Sequence, residues 1–119
     1  MENELGEKTI QTPKFTITLR ENPEGFERID IDLPDVRIGN IRCQFMDDSV
    51  TVFSIQIFPE FQRRGYGKAA INMLKRRFQF ILADRVRFAA REFWTEMGFK
   101  ELPDGNWEYK GVPKTPFSK

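Results

Sequence analysis

The chain has 119 residues and a formal net charge of +1, because 19 lysines and arginines nearly balance 18 acidic residues. One domain of this length can bury a real core, and twelve phenylalanines and two tryptophans supply apolar material for it. The chain has no histidine and one cysteine, Cys43, which excludes disulfide scaffolds, the usual Cys/His zinc sites and every His-dependent catalytic triad.

The sequence predicts neither a leader nor a membrane anchor. The first ten residues, MENELGEKTI, are acidic and lack the apolar core of a signal peptide. No stretch approaches the roughly 20 apolar residues that a membrane helix needs. We therefore expect a soluble, cytoplasmic protein without a membrane partner.

The apolar middle of the chain and its polar ends predict one domain with two loose termini. Residues 1–13 are expected to be a flexible lead-in, residues 14–112 a single domain, and residues 113–119 a C-terminal tail.

Four consecutive strands open the predicted domain. Residues 14–21 and 26–33 alternate apolar with polar side chains and flank the turn sequence NPEG at 22–25, so they read as a hairpin. Residues 36–45 and 50–58 are the third and fourth strands, each introduced by its own polar turn. This order predicts a meander.

The fourth strand has an irregular apolar pattern. Val50 and Val52 share one parity, whereas Phe53, Ile55 and Ile57 share the other. A strand buried on both faces gives this pattern without distortion, and a β-bulge near residues 52–54 gives it by adding one residue. The residues alone slightly favour the buried strand.

Two helices and three further strands are predicted after the meander. Apolar residues recur at helical spacing from Gly67 to Phe78, and the short apolar run 80–83 is compatible with a strand. Asp84 fits the N-cap of a second helix that runs through Met97.

Gly98 supplies the left-handed stop of that helix, and the turn sequence PDGN joins the last two strands. The predicted order is β-β-β-β-α-β-α-β-β. This is an α+β fold, a mixed α/β sandwich with a β-α-β crossover at its centre.

The link between the fourth strand and the first helix, EFQRRGYGKAA, carries the strongest chemical signal. The first amides of a helix lack intrahelical partners and lie at the positive end of its dipole. Gly65 and Gly67 let an anion approach these amides, and Arg63, Arg64 and Lys68 add positive charge. The predicted ligand is a phosphate or pyrophosphate, and the alternative is a tight turn whose glycines are purely structural.

Two motifs resemble those of the GNAT N-acetyltransferase superfamily. Residues 55–67 read Ile-x-Ile-x-Pro-x-x-Gln-x-x-Gly-x-Gly, which is similar to the acetyl-CoA-binding motif of that family. Residues 90–99, AREFWTEMGF, are similar to its Ala-x-x-Phe-Tyr-x-x-x-Gly-Phe motif. The resemblance covers about residues 28–110 and favours the anion site over the purely structural turn.

The resemblance implies a binding mode for acetyl-CoA as co-substrate. The pyrophosphate would lie on the loop amides, and the pantetheine arm would pair with the backbone of a bulged fourth strand. The N–H of Ile57 would polarise the thioester carbonyl, and an amine would attack directly in a ternary complex. The CoA contacts implied in this way are Ile55, Gln56, Ile57, Gln62, Arg63, Arg64, Gly65, Tyr66, Gly67, Lys68, Arg87 and Phe93.

The catalytic half of the family pattern differs in this chain. Trp94 holds the position of the tyrosine that acts as general acid in many members, Arg87 replaces a frequent asparagine, and Thr51 holds the position of a glutamate base. Candidate substitutes are Tyr66 and Tyr109 as acids and, through water, Glu60, Asp48 and Glu101 as bases.

The family's two helices between the first and second strands are also missing, since ENPEG stands in their place. The resemblance therefore implies an open acceptor groove, suited to an exposed amine on a protein or small molecule, or completed by a second subunit in a homodimer.

The leading hypothesis is an acetyl-CoA-dependent N-acetyltransferase that needs no metal. The alternative is a non-catalytic acyl-CoA-binding or regulatory module, because the usual acid and base are missing. Basic residues such as 75–77 suggest nucleic acid, but the near-neutral net charge argues against it. Cys43 is expected to be a core residue rather than a nucleophile.

Overall fold

The computed structural model describes residues 11–19 and 25–113. Most of the predicted lead-in, residues 22–24 of the NPEG turn and most of the predicted tail lie outside these residues. The strands are β1 (Lys14–Thr18), β2 (Glu27–Leu33), β3 (Val36–Met46), β4 (Ser49–Ile57), β5 (Phe80–Ala83), β6 (Lys100–Glu101) and β7 (Trp107–Lys110). The helices are α1 (Tyr66–Arg77) and α2 (Arg91–Glu96), with 3₁₀ turns at Pro59–Phe61 and Phe88–Ala90.

The strands described form one sheet in the order β1-β2-β3-β4-β5-β7-β6. Among the described strands, only β4 and β5 run parallel, across the crossover through α1. The element order and the α+β class agree with the prediction. The connection from β1 to β2 spans only residues 19–26, which is too short for a pair of helices.

Both helices pack against one face of this sheet. Residues directly opposite each other in an antiparallel pair share a face, so the pairings Ile29–Ile41 and Ile41–Ile55 place one apolar row under the helices. Ile71 and Leu74 of α1 are fully buried in the same cluster. Each such side chain contributes about 1.5–3 kcal/mol by leaving water.

The opposite face of the sheet is polar across β2, β3 and β4. The register aligns two rows of side chains there, namely Arg28, Arg42 and Ser54 in one and Asp30, Asn40 and Gln56 in the other. An antiparallel sheet with one polar face is stable in water. The fold therefore does not need a second helical layer on this side.

A β-bulge in β4 explains the irregular apolar pattern of that strand. Cys43 pairs with Val52 and Arg42 pairs with Ser54, so Phe53 is an extra residue on β4. The extra residue turns Ile55 to the same face as Val52. The structure therefore has the bulge that the resemblance implies, rather than the undistorted buried strand that the residues alone favour.

The second helix begins later than predicted. Arg85 lies in the left-handed region with φ 48°, which ends any helix that would start at Asp84. The amide of Arg85 donates to Asn106 Oδ1 (2.7 Å), so this segment is tied to the β6–β7 turn. Helical structure starts only at the 3₁₀ turn Phe88–Ala90, and the prediction that Asp84 caps the helix is wrong.

The predicted ends of the second helix and of the last hairpin agree with the structure. Gly98 follows α2 with φ 87°, a conformation that favours glycine, and Gly105 has φ 89° in the β6–β7 turn. Within the described residues, neither helix has the length and apolar character needed to cross a bilayer.

Candidate functional site

A cleft opens where β4 and β5 separate. Their last paired residues are Val52 and Ala83, and the amide of Asp84 still donates to the Val52 carbonyl (2.9 Å). Beyond that point lie two cavities of about 560 and 470 Å³, which share Ile55, Ala90 and Trp94 in their walls. Each falls in the size range of small-molecule sites.

The glycine loop forms one end of the cleft. Arg63 has φ 65° and Gly65 has φ 91°, so the chain turns sharply before α1, and the amide of Ala69 is the first to bond back, to the Gly65 carbonyl (3.0 Å). No hydrogen bond among the described residues uses the amides of residues 63–68. Such amides at a helix N-terminus can bind an anion.

Gly67 fits tightly between this loop and α2. A Cβ atom added there would lie 3.4 Å from the Phe93 ring, at the limit of ordinary contact. The bare backbone at Gly67 therefore leaves the cleft open, whereas a long side chain would enter it.

The charges at the loop are mostly uncompensated. Lys68 Nζ lies 3.5 Å from Glu96 Oε1, and both side chains are half exposed. Arg64 is stacked over Phe61 at 5.8 Å, and Arg63 forms no ion pair with the described residues. Positive charge therefore exceeds negative charge at the mouth of the cleft, which favours an anionic ligand.

The edge of β4 faces the cleft with open backbone groups. The amide of Phe58 donates to the Ile38 carbonyl (2.8 Å), toward β3. Because backbone groups alternate in direction along a strand, those of Ile55 and Ile57 face the cleft. Gln62 Nε2 donates to the Ile57 carbonyl (2.7 Å), which ties the loop to β4 and leaves the Ile57 N–H toward the cleft.

Aromatic side chains close the cleft from the helix side. Trp94 is 5% exposed and contacts Phe93 and Phe99 edge-on, with ring centroids 5.1 and 4.7 Å apart. Its indole N–H is not a proton donor for a leaving thiolate at neutral pH. Trp94 is therefore a packed wall residue at the position where the resemblance implies an acid.

Lys75 of α1 connects this helix to the end of α2 and to the aromatic wall. Lys75 Nζ donates to the Met97 carbonyl at the end of α2 and lies 4.4 Å from the centre of the Tyr109 ring. Desolvation lowers the pKa of Lys75 from its usual value. Tyr109 lies under the Lys75 ammonium group and lines neither cavity, so it is not brought to the cleft.

The predicted CoA contacts converge on the cleft with one exception, Arg64. Those that line one or other cavity are Ile55, Gln56, Ile57, Gln62, Arg63, Gly65, Tyr66, Gly67, Lys68, Arg87 and Phe93. The sequence did not single out the hydrogen bond of Gln62 to β4, nor Phe61 and Ala89 in the wall. The one sequence signal that could have placed Ala89 in the wall was its position directly before the AREFW motif.

The three candidate bases lie away from the cleft walls. Glu60 is exposed on the first 3₁₀ turn, and Asp48 lies in the β3–β4 turn, where its carbonyl accepts from Gln79 and Phe80. Glu101 is ion-paired with Arg91 at 2.8 Å. Among the described residues, the structure brings no carboxylate of this set to the cleft.

Cys43 is a core residue, as expected. It is fully buried, and burial followed by the charge of Glu27 raises the pKa of its thiol to about 12. A thiol in this environment stays protonated and is not a nucleophile.

Comparisons with known proteins identify the fold. No family model matches the chain. A 52-residue segment is 31% identical to an N-acetyltransferase of Oceanobacillus iheyensis, covering 44% of this chain and 32% of that protein. A 55-residue segment is 32% identical to the N-acetyltransferase YlbP of Bacillus subtilis, covering 46% and 34%. The matches thus span about a third of the length of these relatives.

Solved structures extend the likeness to most of the described residues. The structure of Bacillus subtilis YlbP in complex with coenzyme A superposes with a TM-score of 0.60 at 20% identity, covering 70% of this chain and 66% of that one. A GNAT family acetyltransferase of Elizabethkingia anophelis with acetyl-CoA bound gives 0.58 at 12% identity, covering 78% and 79%.

These matches confirm the resemblance drawn from the two motifs. The chain has the fold of GNAT acetyltransferases, and the matched segment is similar in sequence to N-acetyltransferases.

Proposed function

We propose that the chain binds acetyl-CoA in the β4–β5 cleft and transfers the acetyl group to an amine. The observation that carries this proposal is the run of unbonded amides at 63–68, joined by the cleft to the open edge of β4. A pyrophosphate fits the loop amides. A pantetheine arm, which has amide groups of its own, fits the open edge of β4. The solved relatives with bound CoA support the same assignment.

The residues of the cleft have distinct roles in this proposal. Gly65 and Gly67 expose the loop amides to the pyrophosphate, with Arg63 and Lys68 beside it. Ile55 and Ile57 pair with the pantetheine arm, and the Ile57 N–H donates to the thioester oxygen as negative charge develops there. Gln56, Gln62, Arg64, Tyr66, Arg87 and Phe93 complete the proposed CoA contacts.

The reaction that follows is direct aminolysis of the thioester. The neutral amine nitrogen forms a bond to the carbonyl carbon and loses a proton to water while the carbon–sulfur bond breaks. The thiolate of CoA leaves with the bonding pair and is protonated. Tyr66 is the only phenol in the described cleft walls, so we assign it as the candidate donor of that proton.

Product formation tests this activity. The full chain is incubated with acetyl-CoA and a panel of amines, and each mixture is analysed by mass spectrometry for a gain of one acetyl group. We expect chain-dependent acetylation of at least one amine, with release of free CoA in equal amount.

A second candidate function is a CoA-binding module without turnover. It is favoured by Trp94 at the acid position and by the lack of Glu60, Asp48 and Glu101 from the cleft walls. Binding of acetyl-CoA with no acetylated product from any amine would support the module and contradict the enzyme.

A further inference from the structure

The two cavities of the cleft offer separate places for the two reactants. Phe93 and Trp94 line the first cavity, which is the proposed place of acetyl-CoA. The second cavity lies where β4 and β5 separate, and its walls include Trp94 from the helix side and Ser54 and Gln56, which belong to the polar rows of the sheet. With acetyl-CoA in the first cavity, the second cavity gives an amine a path from the polar face, beside the bulge.

An aromatic platform with an arginine lies next to this entrance. Phe53, the bulge residue, lines the second cavity and contacts Phe26 edge-on at 5.0 Å. The guanidinium of Arg42 lies over the Phe26 ring at 4.6 Å, and Arg42 is the cross-strand partner of Ser54. A guanidinium stacked on a ring keeps its N–H edge free for a carboxylate.

Among the described residues, no acidic side chain of this face pairs with Arg42. Arg28 lies directly opposite Arg42 in the β2–β3 register, where like charges repel. Arg28 pairs with Asp30 at 3.2 Å, and Asp30 is shared with Arg37 at 3.6 Å. Arg42 forms no ion pair within the described part of the chain.

The described rim of the second cavity offers no free carboxylate to compensate Arg42. Asp84 is engaged by Arg85 at 3.3 Å, and Arg87 is a proposed contact of CoA. An acceptor with several positive charges is therefore disfavoured at this entrance, and one with a carboxylate is favoured.

We propose that Arg42, on the Phe26–Phe53 platform, binds a carboxylate of the acceptor and so selects amines that carry a negative charge near the reacting nitrogen. This inference rests on the proposed acetyltransferase function. It assigns the acceptor to amino acids or acidic peptide ends rather than to polyamines or lysine-rich segments.

Two amines that differ by one carboxylate test the assignment. L-Lysine and cadaverine are each offered with acetyl-CoA to the full chain and to Arg42→Gln, and kcat/KM is measured for both. We expect the lysine-to-cadaverine ratio to fall about tenfold to a hundredfold in the variant, the range of a lost charge-assisted hydrogen bond. Comparing ratios between proteins cancels the intrinsic reactivity of each amine.

Controls separate this effect from misfolding and from loss of bulk charge. Arg76→Gln removes an exposed arginine of α1 and should leave the ratio unchanged, and Arg42→Lys should keep part of the preference. The thermal shift with acetyl-CoA should be equal in the wild type and Arg42→Gln.

If both amines react and the lysine-to-cadaverine ratio is the same in the wild type and Arg42→Gln, Arg42 does not select the acceptor. If acetyl-CoA binds and no amine reacts, the proposed function itself fails, and the acceptor assignment fails with it.

Discussion

Trp94 shows how a single residue changes the chemistry that this cleft can perform. It is buried between Phe93 and Phe99 and holds the position where the resemblance leads one to expect a phenol. The sequence revealed the substitution, but only the structure shows that the indole is a packed part of the wall. The proposed donor, Tyr66, is itself buried, so we expect the supply of a proton to the leaving thiolate to limit turnover.

A phenol at this position should raise the rate. We expect Trp94→Tyr to increase kcat by at least about tenfold, since a placed general acid typically contributes 10²–10⁴-fold. The activity of the variant should then decline as pH rises toward the phenol pKa of about 10, because the deprotonated group cannot donate.

Trp94→Phe is the matched control, because it makes a similar loss of volume without adding a hydroxyl. It should not gain activity and should not acquire the decline at high pH. Equal kcat and pH profiles for the two variants would show that protonation of the thiolate is not limiting.

The bulge in β4 is the element that opens the cleft. It adds Phe53 to the strand just where pairing with β5 ends at Val52 and Ala83. It also turns Ile55 back toward the helices, so that both the core and the open edge depend on it. A bulge of this kind locally bends and twists a strand.

Deletion of Phe53 should straighten β4 without changing the faces of its side chains, because Val52 and Ser54 would then pair in regular register with Cys43 and Arg42. We expect a folded protein that no longer gains thermal stability from acetyl-CoA. Phe53→Ala is the control, since it loses the same ring contact with Phe26, about 0.5–1.5 kcal/mol, but keeps the extra residue. Retained binding in the deletion variant would contradict the role given to the bulge.

The elements also show what the sequence could predict and why. The order of strands and helices followed from alternation, helical spacing and turn residues, and Gly98 ends its helix as predicted. The start of the second helix could not be predicted from local sequence, because it depends on a hydrogen bond from the Arg85 amide to Asn106, which is distant in sequence. The residues of β4 fit two interpretations, since a bulge and a doubly buried strand give the same parity pattern.

In the whole molecule, the sheet has one covered face and one polar face, and in the proposed function acetyl-CoA and the acceptor bind on different sides. The glycine loop, the edge of β4 and the aromatic wall lie on the covered side. Arg42 and its platform lie on the open side. The sequence identified the loop and the wall through two motifs, whereas Phe26 and Arg42 meet Phe53 only through strand pairing that no motif encodes.

Binding of acetyl-CoA to the glycine loop is the claim on which the other assignments depend. Its most direct test is the thermal shift produced by millimolar acetyl-CoA in the wild type, Gly67→Glu, Gly67→Gln and Asn72→Glu. Gly67→Gln separates bulk from charge, and Asn72→Glu adds the same charge to an exposed position of α1 outside the loop. A ligand that binds only the native state at 100 times its Kd adds about 2.7 kcal/mol of stability.

We predict a rise of several degrees in the wild type and in Asn72→Glu, a smaller rise in Gly67→Gln, and none in Gly67→Glu, because a carboxylate at the anion site repels the pyrophosphate. No rise in the wild type, or an undiminished rise in a folded Gly67→Glu, would contradict the account.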